Sequence, residues 1–341
     1  MNQASHFLDN LFFTLNAVMP IVVIIGLGYF LKQHRIIKED FFPVLNRLCF
    51  RCCLPCLLFY NVYNLDNISK ISDYTKICLF AVVSILIIFS VALVAVILLV
   101  KDEKQKGVLH QCAYRSNYAI IGISLATSIC QGDTKPVVAA SILSSISIPL
   151  FNVLATISLS IFVKDNEKKV SVISVLKKII TNPLILGVAA GFVCLSIRFI
   201  IPVNADGSKY FTIRQNLPFV YKSVSMIALS ASPIALIALG GNFSFSAVKK
   251  LKKQIIAGVV SRTVLCPLAC LFAAYKAGFS SLEFPALIAL YGTPIAVSTV
   301  PMTAEMGSDS ELAGQLVVWT TLSSAFSLFA IIFFCAQTGI L

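Results

Sequence analysis

The sequence predicts an all-α polytopic membrane protein with ten transmembrane helices arranged as two inverted five-helix repeats. Of its 341 residues, 58% are hydrophobic and only 12% are charged, whereas a soluble domain averages about 45–50% apolar and about 25% charged residues. A membrane helix takes about 20 mostly apolar residues, so ten helices would use roughly 200, close to the hydrophobic total. This composition leaves no room for a sizeable soluble domain. It excludes a soluble enzyme, a disordered chain and a nucleic-acid binder with a solvated surface.

Ten apolar stretches, each bounded by charged or turn residues, justify the predicted number of helices. The first five cover residues 11–31, 43–60, 76–100, 107–130 and 136–163. The second five cover residues 178–201, 217–240, 254–275, 284–304 and 312–336. We therefore predict a first repeat over residues 1–163, a cytoplasmic linker over 164–177 and a second repeat over 178–341. The first stretch is too long for the apolar region of a signal peptide, so we expect it to remain as a span.

Matched landmarks in the two halves indicate the repeat. They are the pairs Pro20 and Pro183, Gly28 and Gly191, Pro55 and Pro233, and Asp133 and Asp309. Each half then holds five spans in the same order, and an odd number of spans forces the two halves to be inverted in the membrane. Inverted repeats are typical of secondary transporters, whose substrate sites lie near the membrane midplane at broken helices.

The positions of Lys and Arg favour one orientation of the chain. If the amino terminus is outside, the inside loops carry most of the loop Lys and Arg residues, including the cluster over residues 249–253. The net charge of +12 is then largely a topology signal, and we predict no nucleic-acid partner. The predicted location is the cytoplasmic membrane of the cell, with both termini outside and the lipid bilayer around the spans.

Polar residues concentrate in the fourth and ninth stretches, which predicts the functional site there. The candidate residues are Arg115, Asn117, Gly122 and Ser124 in the fourth stretch, and Thr293, Pro294, Ser298, Thr299 and Pro301 in the ninth. A proline removes a backbone donor and interrupts a helix. Freed backbone groups at membrane depth persist only where protein or a water-filled cavity satisfies them. Breaks at matching places in both halves therefore favour a binding site between them.

Three charged or amide residues have alternative roles. A cation inside a span costs at least about 2.5–3.5 kcal/mol, so Arg115 either binds an anion, orients the helices, or extends to the lipid headgroups. Asn117 either binds a carboxylate or makes an ordinary interhelical hydrogen bond. Glu305 either carries a coupling proton, pairs with a basic residue, or is solvated in a loop. Because Arg51 and Arg262 also lie in spans and buried carboxylates are scarce, the sequence favours an anionic substrate.

The cysteines do not predict a cofactor. Cys49, Cys52, Cys53 and Cys56 lie together in the second stretch, and such spacings can hold zinc or support redox chemistry. The cluster has no second group of ligands, however, and cysteine packs well as a small hydrophobe. We predict no metal site and no cofactor.

Four motifs in order carry a family resemblance. They are PIVVIIGLGYFL from residue 20, LPCLLFYNVYNLD from 54, YRSNYAIIGISLA from 114 and PIAVSTVPMTAEMG from 294. Together they resemble the auxin efflux carrier family over about residues 11–336, and its bacterial members more closely than plant PIN carriers. The resemblance implies broken helices 4 and 9 that cross, usually at a Pro, and a scaffold subdomain beside a moving transport subdomain.

The resemblance also assigns roles to single residues. Pro301 matches the crossover of the second half, and Asn117 matches the Asn of the crossover region. In the first half the family usually has Pro after Gly-x, but Ser124 follows Gly122 and Ile123 here, so the first break would depend on Gly122 and Ser124. Substrates in the family are mostly organic acids.

We predict a secondary active or facilitative transporter of a small organic anion, such as a mono- or dicarboxylate, that works by alternating access. The protein is not expected to be an enzyme. A proton or sodium ion is a possible coupling partner, and a homodimer is a possible assembly. The alternatives are a membrane-embedded sensor or receptor subunit, and an intramembrane redox enzyme that uses the cysteine cluster.

Overall fold

The computed structural model describes residues 19–64, 74–122, 125–126, 129, 134–162, 180–202 and 209–341, and within them it forms helices and no β-sheet. In chain order the main helices are α1 (Met19–Gln33), α2 (Phe41–Tyr63), α3 (Thr75–Leu99), α4 (Glu103–Tyr114), α5 (Thr134–Phe162), α6 (Pro183–Ile200), α7 (Pro218–Asn242), α8 (Lys252–Lys276), α9 (Phe284–Gly292), α10 (Thr299–Glu305) and α11 (Ser310–Gln337). Short helices over Ile213–Asn216 and Phe245–Lys250 precede α7 and α8.

Seven of the described helices, namely α2, α3, α5, α6, α7, α8 and α11, are long and apolar enough to cross a membrane. The other three predicted stretches contain shorter helices. The described part of the first stretch forms α1, the fourth contains α4, and the ninth is divided into α9 and α10. The all-helical membrane fold is therefore confirmed, while the predicted linker over residues 164–177 lies outside the described residues.

Local sequence signals determine where several helices begin. The side chains of Asp102, Asn182 and Asp309 accept hydrogen bonds from backbone N–H groups in the first turns of α4, α6 and α11. These N–H groups have no partner inside the helix, so a capping side chain satisfies them. Pro183 follows Asn182 at the first helical position, where a missing N–H costs nothing.

Helices α1, α2, α6 and α7 form one unit, which we call the four-helix unit. Gly28 of α1 lies against the backbone of Ile237 in α7, and Gly187 of α6 lies against the backbone of Pro55 in α2. A β-carbon at either glycine would overlap the neighbouring backbone, so only glycine permits these two close approaches.

Among the described residues, the remaining main helices pack mostly with one another, and we call them the seven-helix unit. Its helices are α3, α4, α5 and α8 to α11. Helices α5 and α10 also contact the four-helix unit, through α6 and α2. The functionally interesting region lies where the two units meet, because the chain interruptions in the fourth and ninth stretches face it.

Candidate functional site

The interruptions after α4 and α9 pair with each other. Arg115 follows α4 in an extended conformation, with φ −82° and ψ 116°, and Thr293 follows α9 with φ −71° and ψ 152°. Ser116 and Ile295 form an isolated antiparallel bridge, and the N–H of Asn117 donates to the carbonyl of Pro294 at 2.8 Å. Thr293 is extended because a following proline disfavours the helical conformation. The two breaks are thus joined by their backbones.

The break points differ from the sequence prediction. Pro301 is the third residue of α10. An N–H at this position would have no acceptor within the helix, so a proline here breaks no intrahelical hydrogen bond. The expectation that Pro301 marks the second break is therefore wrong, and Pro294 occupies the break instead. In the first half the chain leaves the helix at Arg115, before Gly122, which ends a π-helical turn over Tyr118–Gly122. Ser124 lies outside the described residues.

Arg115 is buried at this crossing, with 1% of its surface exposed. Its Nη1 donates to Gln111 Oε1 at 2.9 Å, and its Nη2 donates to Asn152 Oδ1 and Ser298 Oγ, both at 2.8 Å. A longer contact of 3.4 Å joins Nη1 to the sulfur of Met302. These partners are all uncharged, and no carboxylate of the described residues pairs with Arg115. The side chain is held inside the protein and does not extend to the headgroups.

A cavity of about 40 Å³ lies beside Arg115, between the two units. Its walls come from both breaks and from α2, α5, α6 and α7, including Ser116, Asn117 and Ser298. The Oγ of Ser116 and the Nδ2 of Asn117 are buried and have no hydrogen-bond partner among the described residues. An unpartnered buried polar group costs about 1–3 kcal/mol, so both groups are available to a ligand. The cavity therefore has room for only a few water molecules in this conformation.

A family comparison places the chain among known transporters. The model of the membrane transport protein family, which includes the auxin efflux carriers, matches residues 13–332. The chain belongs to this family. It is therefore a multi-pass membrane protein of a transporter family and not of an enzyme family. No curated protein is significantly similar to the chain.

The structure brings only some of the predicted site residues together in this transporter. Arg115, Asn117 and Ser298 line the cavity. Thr293 is buried, and its hydroxyl donates to the carbonyl of Ala289. The other predicted residues that the structure describes, Gly122, Pro294, Thr299 and Pro301, do not line the cavity. Of these four, only Pro294 lies in a break, where its carbonyl accepts from the N–H of Asn117.

Two partners of Arg115 were not among the predicted site residues. Asn152 projects from α5 and Gln111 from α4, and both are buried. Gln111 also donates to the hydroxyl of Thr303 in α10 at 3.2 Å, so it connects the two broken segments. An amide within an apolar stretch is the signal that could have identified Asn152, because polar side chains inside membrane helices usually have a function.

Glu305 lies at the end of α10, outside the cavity. Its carboxylate accepts from Arg47 Nε at 3.2 Å and from Arg51 Nε at 3.4 Å, and both arginines belong to α2. The Glu305 side chain is 14% exposed, whereas the arginines are 66% and 69% exposed. This ion pair therefore joins the two units at their surface, and a coupling role for Glu305 stays a prediction.

The cysteine cluster packs between α2 and α7. Cys49 and Cys53 are buried, and Cys52 is exposed. Cys49 Sγ donates to the carbonyl of Ala231 at 3.3 Å, and the hydroxyl of Ser230 donates to Cys53 Sγ at 3.8 Å. No group of three metal-binding side chains occurs among the residues that the structure describes. These contacts are those of packing residues.

Proposed function

We propose that this transporter moves a small organic anion and binds its carboxylate in the cavity between the two breaks. One observation carries the proposal. Within the part of the chain that the structure describes, Arg115 is buried and has no negatively charged partner, and it lies next to the unpartnered donors of Ser116 and Asn117. These three neighbouring residues supply positive charge and hydrogen-bond donors to the same cavity.

The chemistry of these donors favours a carboxylate over a neutral or cationic ligand. A guanidinium presents its N–H groups in a planar fork that matches the two oxygens of a carboxylate. Hydrogen bonds between charged groups are roughly twice as strong as those between neutral groups. A cation in the same cavity would add a second uncompensated charge to a buried site, which is strongly unfavourable.

The position of the cavity supports alternating access. Its walls come from both the four-helix unit and the seven-helix unit, so a movement of one unit against the other would change which side of the membrane reaches Arg115. We infer that α1 to α3, α5 to α8 and α11 are eight of ten spans. The fourth would begin with α4, and the ninth would consist of α9 and α10. The two halves would then be inverted repeats, with both termini outside the cytoplasmic membrane.

Counterflow in proteoliposomes tests the proposal. Proteoliposomes that contain the purified protein would be loaded with one unlabelled compound of a panel. Uptake of the radiolabelled form of the same compound would then be measured with and without a proton or sodium gradient. The panel would contain monocarboxylates, dicarboxylates, and a matched amide and amine. We expect exchange of at least one carboxylate and of neither the amide nor the amine. Equal exchange of an acid and its amide would contradict an anion site.

The matched variants are Asn117→Ala and Asn242→Ala. Asn117 lines the cavity, whereas Asn242 is exposed at the end of α7 and donates to the carbonyl of Ala238 in its own helix. We expect Asn117→Ala to reduce exchange at least about 100-fold at equal reconstitution, because it removes a buried donor that the bound carboxylate would use. Asn242→Ala should match the wild type. Carboxylate binding without any exchange would instead favour a sensor.

A further inference from the structure

A second buried arginine lies behind the crossing. Arg262 lies in a π-helical turn of α8 over Ser261–Leu265, and its exposed surface is 0%. π-helical turns inside α-helices occur frequently at functional sites. Arg262 does not line the cavity beside Arg115, so it would not touch a substrate held there.

The guanidinium of Arg262 contacts the carboxyl ends of both α4 and α9. The acceptors are the carbonyls of Ala113 at 3.5 Å and Tyr114 at 3.2 Å for Nη1, Leu290 at 3.2 Å and Tyr291 at 3.0 Å for Nη2, and Thr293 at 2.9 Å for Nε. A further contact of 3.6 Å joins Nη1 to Cys266 Sγ. Five backbone carbonyls at or directly after two helix ends therefore meet one side chain.

These carbonyls need an external donor. The last turn of a helix has carbonyls without intrahelical partners. The backbone becomes extended directly after both α4 and α9, so neither helix continues to supply donors. Water satisfies such groups at a protein surface, but the interior of a membrane protein must supply its own donors. Arg262 supplies several N–H groups at the point where the two helix ends meet.

Arg262 also balances charge. The carboxyl end of a helix carries about half a negative elementary charge, so two ends together carry about one. The single positive charge of Arg262 offsets this amount. Without it, two negative helix ends would lie directly behind the residues that line the cavity, because Tyr114 and Thr293 immediately precede the paired segments.

We propose that Arg262 is a positioning residue that makes the crossing selective for anions. It holds the carboxyl ends of the two broken helices together, and it cancels their negative charge so that Arg115 presents a net positive site. This inference rests on the proposed anion transport at the breaks. It adds a residue that acts through the backbone and not by contact with the substrate.

The two roles of Arg262, the balance of charge and the connection between the two helix ends, can be tested separately with Arg262→Gln and Arg262→Lys. Arg262→Gln removes the charge and most donors, so we expect the KM for the exchanged carboxylate to rise at least about tenfold, with a smaller effect on the maximal rate. Arg262→Lys keeps the charge, so its KM should stay within about threefold of the wild type. Thr263→Ala is the matched control, because Thr263 is buried in the same turn but bonds to Val259 and Ser323 and not to the breaks.

Disulfide crosslinking measures directly whether Arg262 holds the two broken helices together. Ser116 and Ile295 oppose each other in an antiparallel bridge, and the Cα atoms of such a pair lie about 4.5–5.5 Å apart, within the range of a disulfide. The pair Ser116→Cys and Ile295→Cys would be oxidised, and the linked peptide followed by mass spectrometry. We expect slower crosslinking in both Arg262 variants, because an ammonium group cannot span both helix ends as the guanidinium fork does. Thr263→Ala should leave the rate unchanged.

Three results would contradict one of the two roles proposed for Arg262, and two further outcomes separate this inference from the proposed function. An unchanged KM in Arg262→Gln would overturn the charge role, and so would an Arg262→Lys variant with a KM as high as that of Arg262→Gln. A wild-type crosslinking rate in Arg262→Lys would show that the guanidinium does not hold the two helix ends together, even if Arg262→Gln does not fold. If the wild-type protein exchanges no carboxylate, the proposed function fails. If it does exchange a carboxylate and the Arg262 variants behave as wild type, only this inference fails.

Discussion

Arg115 and Arg262 are both buried arginines at the crossing of the broken helices, yet their surroundings differ. Arg262 donates to five carbonyls at two helix ends, whose partial charges sum to about one negative charge. Arg115 donates to the uncharged side chains of Gln111, Asn152 and Ser298. One cation is balanced by the fold, and the other lacks a negative partner among the described residues. The difference teaches that burial alone does not distinguish the two arginines, whereas the balance of charge around each one does.

The largest effect should come from Arg115→Gln, which removes the unbalanced charge. We expect carboxylate exchange to fall at least about 100-fold, because the loss of a buried charged donor costs about 2–5 kcal/mol of binding. The melting temperature should fall less than in Arg262→Gln, since removal of Arg115 also relieves the desolvation of an unpaired charge. Thermal unfolding in detergent and counterflow would be measured on the same preparations.

The substrate itself sharpens this test. A carboxylate that binds the folded protein raises its melting temperature by mass action, and this rise should be absent in Arg115→Gln. The control is Arg35→Gln, which changes an exposed arginine that does not line the cavity. Its exchange rate and its stabilisation by the carboxylate should match those of the wild type. An Arg115→Gln protein that still exchanges carboxylates would show that the unbalanced arginine is not the anion site.

A smaller effect is expected from Glu305→Gln, which removes a carboxylate shared by two arginines at the surface. Exposed ion pairs contribute about 0–1 kcal/mol, and Glu305 lies outside the cavity. We expect the KM to be unchanged and the maximal rate to change by no more than about fivefold, because the pair joins the two units. If gradient-driven uptake is lost while counterflow persists, Glu305 is instead a coupling residue.

The smallest effect should come from replacing Cys49, Cys52, Cys53 and Cys56 together by Ala. This cluster lies between α2 and α7 and does not line the cavity, and its side chains pack without a metal-binding group among the described residues. We expect the KM to stay within about twofold, because free cysteine behaves as a small hydrophobe. A complete loss of exchange in a folded quadruple variant would support the redox alternative.

Much of this architecture follows from the sequence because its signals are local. The apolar stretches predict the helices, and the residues at positions 102, 182 and 309 predict helix starts through their capping side chains. The ninth stretch shows the limit of local signals. It contains Pro294 and Pro301, and either could interrupt a helix. Only the course of the backbone shows that Pro301 lies harmlessly in a first turn.

By itself, the sequence determined the membrane class, the positions of seven long apolar helices, and the concentration of polar residues around Arg115 and Asn117. Arg115, Arg262 and Arg51 look alike in it, since each is an arginine within an apolar stretch. Only the tertiary structure separated them. It placed Arg51 at an exposed ion pair, Arg262 at two helix ends and Arg115 at a cavity. The physical reason is that charge balance depends on groups far apart in the chain, such as Arg262 and Tyr114, which are 148 residues apart.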